Sequence, residues 1–240
     1  MTRRSTAERA GLTPEAVVSA AAGLSERSSL TGWTIRDLAA ELGTSSSAVY
    51  HHVGGIELLH REIARRTLAK IESPSDELTS QAAADAAGRP RWALWFERLL
   101  LDGYPVLVRT PGLPHWFMMH GPVFPEASPI LETGIALLRE GGFGDRAGIA
   151  YALLLNTAML TIGVGDARIR ESDDPERDRR DMLAGFTSLP EEARGAHALA
   201  AELIQPYTQG SDAAQAARLA YYEAAVRVAI AGLIAERDRL

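Results

Sequence analysis

Between Ser45 and His52 the chain reads Ser-Ser-Ser-Ala-Val-Tyr-His-His, which sets three hydroxyls, a phenol and two imidazoles within eight positions. Groups of this kind serve three chemistries: metal ligation, a catalytic cluster, or donation of hydrogen bonds to phosphates and base edges. Adjacent helical residues point to different faces, so His51 and His52 do not converge on one ion, and no third ligand is spaced for them. The sequence contains no Gly-x-Ser-x-Gly elbow, no His-Glu-x-x-His, no Gly-x-x-x-x-Gly-Lys loop and no dinucleotide fingerprint. Cysteine is absent, which excludes thiolate catalysis and cysteine zinc sites. Hydrogen-bond donation is the chemistry left standing, with no catalysis, metal or cofactor expected.

Such donors are useful only if an element presents them, and the flanking sequence supplies one. Thr13, Pro14 and Glu15 stand where a helix N-cap, first residue and first-turn acid belong, opening a helix with Val17, Ala20, Ala21 and Leu24 on its apolar side. Thr34 and Asp37 have the spacing of a capping box, Ile35, Leu38, Ala39 and Leu42 form one face, and Gly43 ends the second helix. A turn of three residues leads to "SSAVYHHV", where Val49 and Val53 close on Leu38 and Leu42. Two short helices joined in this way predict a helix-turn-helix. A fourth helix follows from Gly55 or Ile56 through "IELLHREIARRTLAKI", with Leu59, Ile63 and Leu68 inward.

The charge distribution permits a nucleic-acid contact at this end. Net charge is −6 overall, but residues 1–70 carry +2 and the remainder −8. The composition, 46% apolar and 23% charged, is that of a soluble globular protein. Basic residues at the N-terminus precede no apolar core of a signal peptide, so a cytoplasmic location is expected. The apolar run from Ala147 to Gly165 carries Asn156 and two threonines and reads as a buried helix, with no membrane span.

The segment "TIRDLAAELGTSSSAVYHHVGGIELL" resembles the DNA-binding part of the tetracycline-repressor (TetR) family of transcriptional regulators. That pattern runs Thr-x-Arg-x-Leu-Ala-x-x-Leu-Gly, then a short recognition helix ending in Tyr-x-His, then a helix opening near Lys-x-x-Leu. The likeness covers roughly residues 12 to 60. It implies that Thr34 and Arg36 contact phosphate or a nearby base, that Ser46, Ser47 and Ala48 face base edges, and that Tyr50, His51 and His52 hold the DNA backbone; Ser45 adds a small residue at the helix start, where the backbone must come close to DNA. One departure is Ile56, which stands where the family usually has lysine. Arginines of the N-terminal arm (Arg3, Arg4, Arg9) offer compensation.

The rest of the chain is expected to be all-α, giving residues 1–71 as arm and DNA-binding domain and 72–240 as a larger helical ligand-binding and dimerisation domain. "ESPSDE" marks the boundary, and residues 76–88 do not declare themselves. "RPRWALWFERLLLDGYPVLV" is an amphipathic helix, and "RTPGLPHWFMMHGPVFPEA" is broken by proline and glycine. Ser128 is expected to cap a helix ending at Gly141-Gly142, and Asp145 to cap the long apolar one. The charged run "RIRESDDPERDRRD" reads as a solvated loop, followed by helices over Pro190–Ile204 and from Ser211 onward.

Close to half of the aromatic residues crowd the window from Trp92 to Phe124, either as core or as the lining of a pocket for an apolar or aromatic effector. The candidate lining is Trp92, Trp95, Phe96, Tyr104, His115, Trp116, Met119 and His120, with Asn156 from the apolar helix. His115 and His120 read as structural before they read as metal ligands. In the last helix Leu219, Tyr222, Val226, Ile230 and Leu233 form a stripe, with alanines and Gly232 allowing close approach. This stripe and the Ala147–Asp166 helix are the expected dimer interface, a four-helix bundle across a two-fold axis. The reading is a homodimeric repressor that leaves a palindromic operator in double-stranded DNA when a small ligand binds. The alternative is an all-helical carrier or enzyme for an apolar molecule that has lost DNA binding.

Overall fold

The computed structural model describes residues 12–75, 88–121, 123–170 and 173–239, and among these there is no strand. Four helices make the N-terminal unit: α1 (Pro14–Arg27), α2 (Ile35–Glu41), α3 (Ser46–Val53) and α4 (Ile56–Leu68). Local chemistry accounts for their ends. Thr13 Oγ1 accepts from the Ala16 N–H at 3.1 Å, with Pro14 directly behind it. At Thr34 the capping box is complete: the Asp37 N–H donates to Thr34 Oγ1, and the Thr34 N–H donates to the Asp37 carboxylate at 2.8 Å. Val17, Ala21, Leu30, Leu38, Val49, Leu59 and Ile63 bury together, so α1, α2, α3 and α4 share one small core.

The C-terminal unit is built from α5 (Arg91–Leu107), α6 (Leu113–His120), α7 (Ser128–Leu138), α8 (Ala147–Arg170), α9 (Pro175–Thr187), α10 (Arg194–Leu199) and α11 (Ser211–Glu236). Helices α8 and α11 pack along each other, α5 lies against α11 and α7, and α6 against α8. Trp92, Trp95, Phe96, Leu138, Leu154 and Tyr222 fill the space between them. The helical run from Pro125 to Ala167 is long and apolar enough to cross a membrane by length and composition. Part of it faces this core, including Ala150, Leu154, Ala158 and Ile162.

Several elements differ from the sequence reading. The Pro/Gly-broken stretch holds a real helix, α6, because Gly112 turns the chain and Pro114 falls in the first helical turn. Ser128 is the first residue of α7, not its cap, since a 3-10 turn at Pro125–Ala127 runs straight into the helix. Likewise Asp145 lies inside a 3-10 turn, Gly144–Arg146, that is continuous with α8. The charged run is helical at both ends. Helix α8 extends to Arg170, and α9 starts at Pro175 with the Asp174 side chain accepting from the Arg177 N–H at 3.0 Å. Whether residues 76–88 are helical falls outside the described residues except for Gly88, as do Arg3, Arg4 and Arg9.

Candidate nucleic-acid interface and effector domain

Helix α3 is anchored by Val49, which has no exposed surface, and Val53 packs partly against the same core. Fixing that side inward turns Ser47, Tyr50 and His51 outward, three residues at i, i+3 and i+4 on one face. Tyr50 is half exposed, so it is not core filling. Ser45 is the N-cap, its Oγ accepting from the Ala48 N–H at 3.2 Å, while Ser46 and Ala48 flank the outward face. His52 is partly buried and lines a shallow hollow of about 270 Å³ with Val18, Leu58 and Arg66. Its ring meets that of His51 edge to face at 5.7 Å. Among the described residues no three His, Asp or Glu side chains gather as a metal site.

The helix stops where Gly54 takes a left-handed conformation (φ 76°) and returns its N–H to the Tyr50 carbonyl at 2.8 Å. Gly55 then opens α4 without a side-chain cap, leaving the first-turn N–H groups of that helix uncovered beside Tyr50. Ile56 and Leu58 stand at this end without a basic group, so positive potential there comes from the helix dipole, set against the exposed Glu57 carboxylate of the first turn. Arg36 is exposed at the start of α2 and makes no ion pair among the described residues. The Thr34 hydroxyl is occupied locally: it accepts from Asp37 N–H and donates to the Asp37 carboxylate at 2.7 Å. Those bonds hold the Asp37 carboxyl below its usual range.

The nine candidate effector residues do not come together as one lining. Trp92, Trp95 and Phe96 are closed core: Trp95 meets Phe96 at 4.9 Å and Trp92 meets Phe143 at 5.3 Å, both edge to face. Trp116 is buried nearer the N-terminal unit, stacked under His120 at 4.4 Å. His115, Met119, His120 and Asn156 are exposed, and Tyr104 meets Tyr222 with rings tilted by 39° at 4.5 Å. Two tryptophans and a phenylalanine within five residues of one helix fill the volume between α5, α7 and α8, so the window is largely core. One signal was not anticipated. The indole N–H groups of Trp92, Trp95 and Trp116 are all buried without an acceptor, an arrangement that buried polar groups seldom keep.

The expected dimer stripe also faces inward. Tyr222, Val226, Ile230 and Leu233 pack into the chain's own core, and the Tyr222 hydroxyl donates to the Leu100 carbonyl at 2.9 Å; only Leu219 is exposed. A second stripe looks outward from α11: Tyr221, Ala224, Val228, Ala231 and Ala235, spaced at alternating threes and fours. Beside it α8 exposes Ile149, Leu153, Leu160 and Val164, with Asn156 in their midst.

Solved structures resemble the whole arrangement. Apo ActR from Streptomyces coelicolor superposes with a TM-score of 0.65 at 22% identity, covering 95% of this chain and 99% of ActR. The fold is that of ActR. ActR, a TetR family protein, is also known in complex with actinorhodin (TM-score 0.64, 23% identity, covering 94% and 97%) and with (S)-DNPA (0.64, 21%, covering 95% and 100%). No protein-family model matches the sequence, and none of the curated proteins does. The ActR fold therefore confirms the all-α architecture of a small helix-turn-helix unit followed by a larger helical domain.

Proposed function

We propose that the chain is a DNA-binding transcriptional regulator of the TetR family, a cytoplasmic homodimer that leaves its operator when a small molecule binds. The observation that carries this reading is the outward face of α3, where Ser47, Tyr50 and His51 project from a helix pinned by Val49 within a fully capped helix-turn-helix. Residues 1–71 serve as the DNA-binding domain and 72–240 as the effector and pairing domain. Ser46, Ser47 and Ala48 read base edges in the major groove, while Arg36, Tyr50, His51 and the α4 N-terminus hold phosphates.

One short recognition helix covers few base pairs, so a symmetric pair with half-sites about 34–36 Å apart is required. The outward stripes of α8 and α11 suit that pairing: adjacent, apolar and rich in small residues, they pack as a four-helix bundle against their own copy. ActR binds small molecules within the same fold.

The test is enrichment of the protein's targets from random double-stranded DNA at about 0.15 M salt, where non-specific binding is suppressed. A palindrome with half-sites one turn apart is the expected product. No enrichment at this or lower salt would sink the regulator reading and leave the effector domain as a carrier.

A further inference from the structure

Among the described residues few polar contacts join the helix-turn-helix unit to the helices behind it, and one of them ends a buried series of hydrogen bonds. Leu30, in the α1–α2 loop, has no exposed surface, and its N–H donates to the Pro111 carbonyl at 2.8 Å. The same peptide unit carries the Gly112 N–H, which donates to Asp166 Oδ2 of α8 at 3.0 Å. Asp166 is 7% exposed, and its Oδ1 accepts from Arg218 Nη2 of α11, also at 3.0 Å. Gly165 makes room for that arginine, since a Cβ there would stand 2.8 Å from Nη2.

A single planar peptide is thus held on both edges. Its N–H is fixed by a carboxylate anchored in the effector domain, and its C=O holds the backbone of the DNA-binding unit. The plane is rigid, so turning one edge turns the other. A carboxylate on the N–H also polarises the C=O and strengthens its bond to Leu30. Ser29, next to Leu30, has φ 149°, a backbone that L side chains rarely adopt and that persists only where neighbours enforce it. The other polar joints among the described residues, Arg65 of α4 to Glu126 and Arg109 to Glu26 of α1, are made by partly solvent-facing side chains, which water can replace.

We infer that Asp166 is a positioning residue: through the Pro111–Gly112 peptide it sets the orientation of the helix-turn-helix unit relative to α8 and α11. A shift of α8 against α11 moves the carboxylate, tilts the peptide and loosens Leu30. The consequence for operator spacing rests on the regulator reading; the tether itself does not.

Amide hydrogen exchange on the full-length protein tests the tether without DNA. In the native chain Leu30 and Gly112 open together, with protection factors equal within about threefold; a difference beyond tenfold overturns the proposal. In Asp166→Asn both amides exchange at least tenfold faster, while amides inside α1 and α4 keep native rates. An unchanged Leu30 amide in the folded variant overturns it as well. Should that variant not fold, Arg218→Met, which takes the guanidinium away from Asp166 Oδ1, is read at the same two amides with the same criterion.

Selection from operators whose half-site spacing is varied by one base pair at a time then separates orientation from mere destabilisation. Asp166→Asn broadens the preferred spacing, whereas a structural lesion lowers affinity evenly at all spacings. A tether that loosens while spacing preference stays native refutes the positioning role. A native protein that selects no DNA counts against the regulator reading, and the exchange data still decide the tether.

Discussion

Helix α3 and the last helix α11 solve opposite problems with similar materials. Helix α3 has one anchor, Val49, and a polar outward face, so its orientation follows directly from its sequence. Helix α11 is apolar on two sides. Tyr222, Val226, Ile230 and Leu233 make one stripe, and Tyr221, Ala224, Val228, Ala231 and Ala235 make the other. A helix with one apolar side has a single way to lie; a helix with two must be told which side meets its own chain. Here size decides: the bulky stripe fills the monomer core and the small-residue stripe is left at the surface, where two helices can approach closely.

The strongest way to break this contrast is to charge the outer face of α11. Val228→Glu is expected to leave the monomer folded, because Val228 is 71% exposed, yet to abolish pairing through a buried unpaired carboxylate costing several kcal/mol. Light scattering should report a monomer with native circular dichroism and no operator binding. Val226→Glu, two residues away, should instead unfold the chain. Equal behaviour of the two variants would mean the faces are not distinct. The same logic gives Asn156 a place on the proposed pairing surface of α8, where one amide among aliphatic side chains favours a single register.

On α3 the effects are smaller and divide by role. Tyr50→Ala removes the proposed phosphate donor and should weaken binding to every sequence by roughly tenfold, in line with the ~1.5 kcal/mol of a hydrogen bond to a charged group. Ser47→Ala should change preference at one base position by about 1–3 kcal/mol and leave binding to random DNA nearly intact. Binding measured on cognate and scrambled duplexes decides between them. Thr34→Ala acts through the fold, since its hydroxyl serves the α2 cap; a stability loss of about 1 kcal/mol is expected by urea titration. A DNA defect in Thr34→Ala without that stability loss would assign Thr34 to phosphate instead.

The N-terminal unit was legible because its signals are local. Thr13-Pro14-Glu15, the Thr34–Asp37 box and the stop at Gly43 each specify an end within four residues. Asp174-Pro175-Glu176 repeats the signature of the first helix and does start α9, but the surrounding charge concealed it. That helix buries none of its residues, so no apolar periodicity pointed to it. The α5 tryptophans and the α11 stripes could not be resolved in the same way. Whether an aromatic side chain fills a core or lines a chamber depends on helices 30 to 130 positions distant in sequence, as the Tyr222–Leu100 bond illustrates. The Asp166–Gly112 bond spans 54 positions and leaves no trace in any local pattern.

The smallest effect concerns a solvent-facing joint between the two units, at Arg65 and Glu126. Glu62 accepts from Arg65 and Arg66, which also reach Glu126 in the second domain and Glu15 in α1. The two guanidinium groups, Arg65 foremost, hold the Glu62 carboxyl down to about 2. In the unfolded chain it titrates near 4.5, so between these values the unfolded state binds the proton first. Stability from Glu62 is therefore present above pH 4.5 and drains away as pH falls towards 2. Glu62→Gln should cost on the order of 1 kcal/mol at pH 7 after solvent screening, with a deficit that narrows on acidification. Molar salt should narrow it too, as expected for side chains that water and ions can reach. A deficit constant from pH 7 to pH 3 would show that Glu62 acts by packing. Asp166, by contrast, is shielded from both water and salt, and the exchange of the Leu30 amide should not respond to ionic strength. If it did, the buried and the exposed joints would prove to be one network, and the domains would be held together by charge throughout.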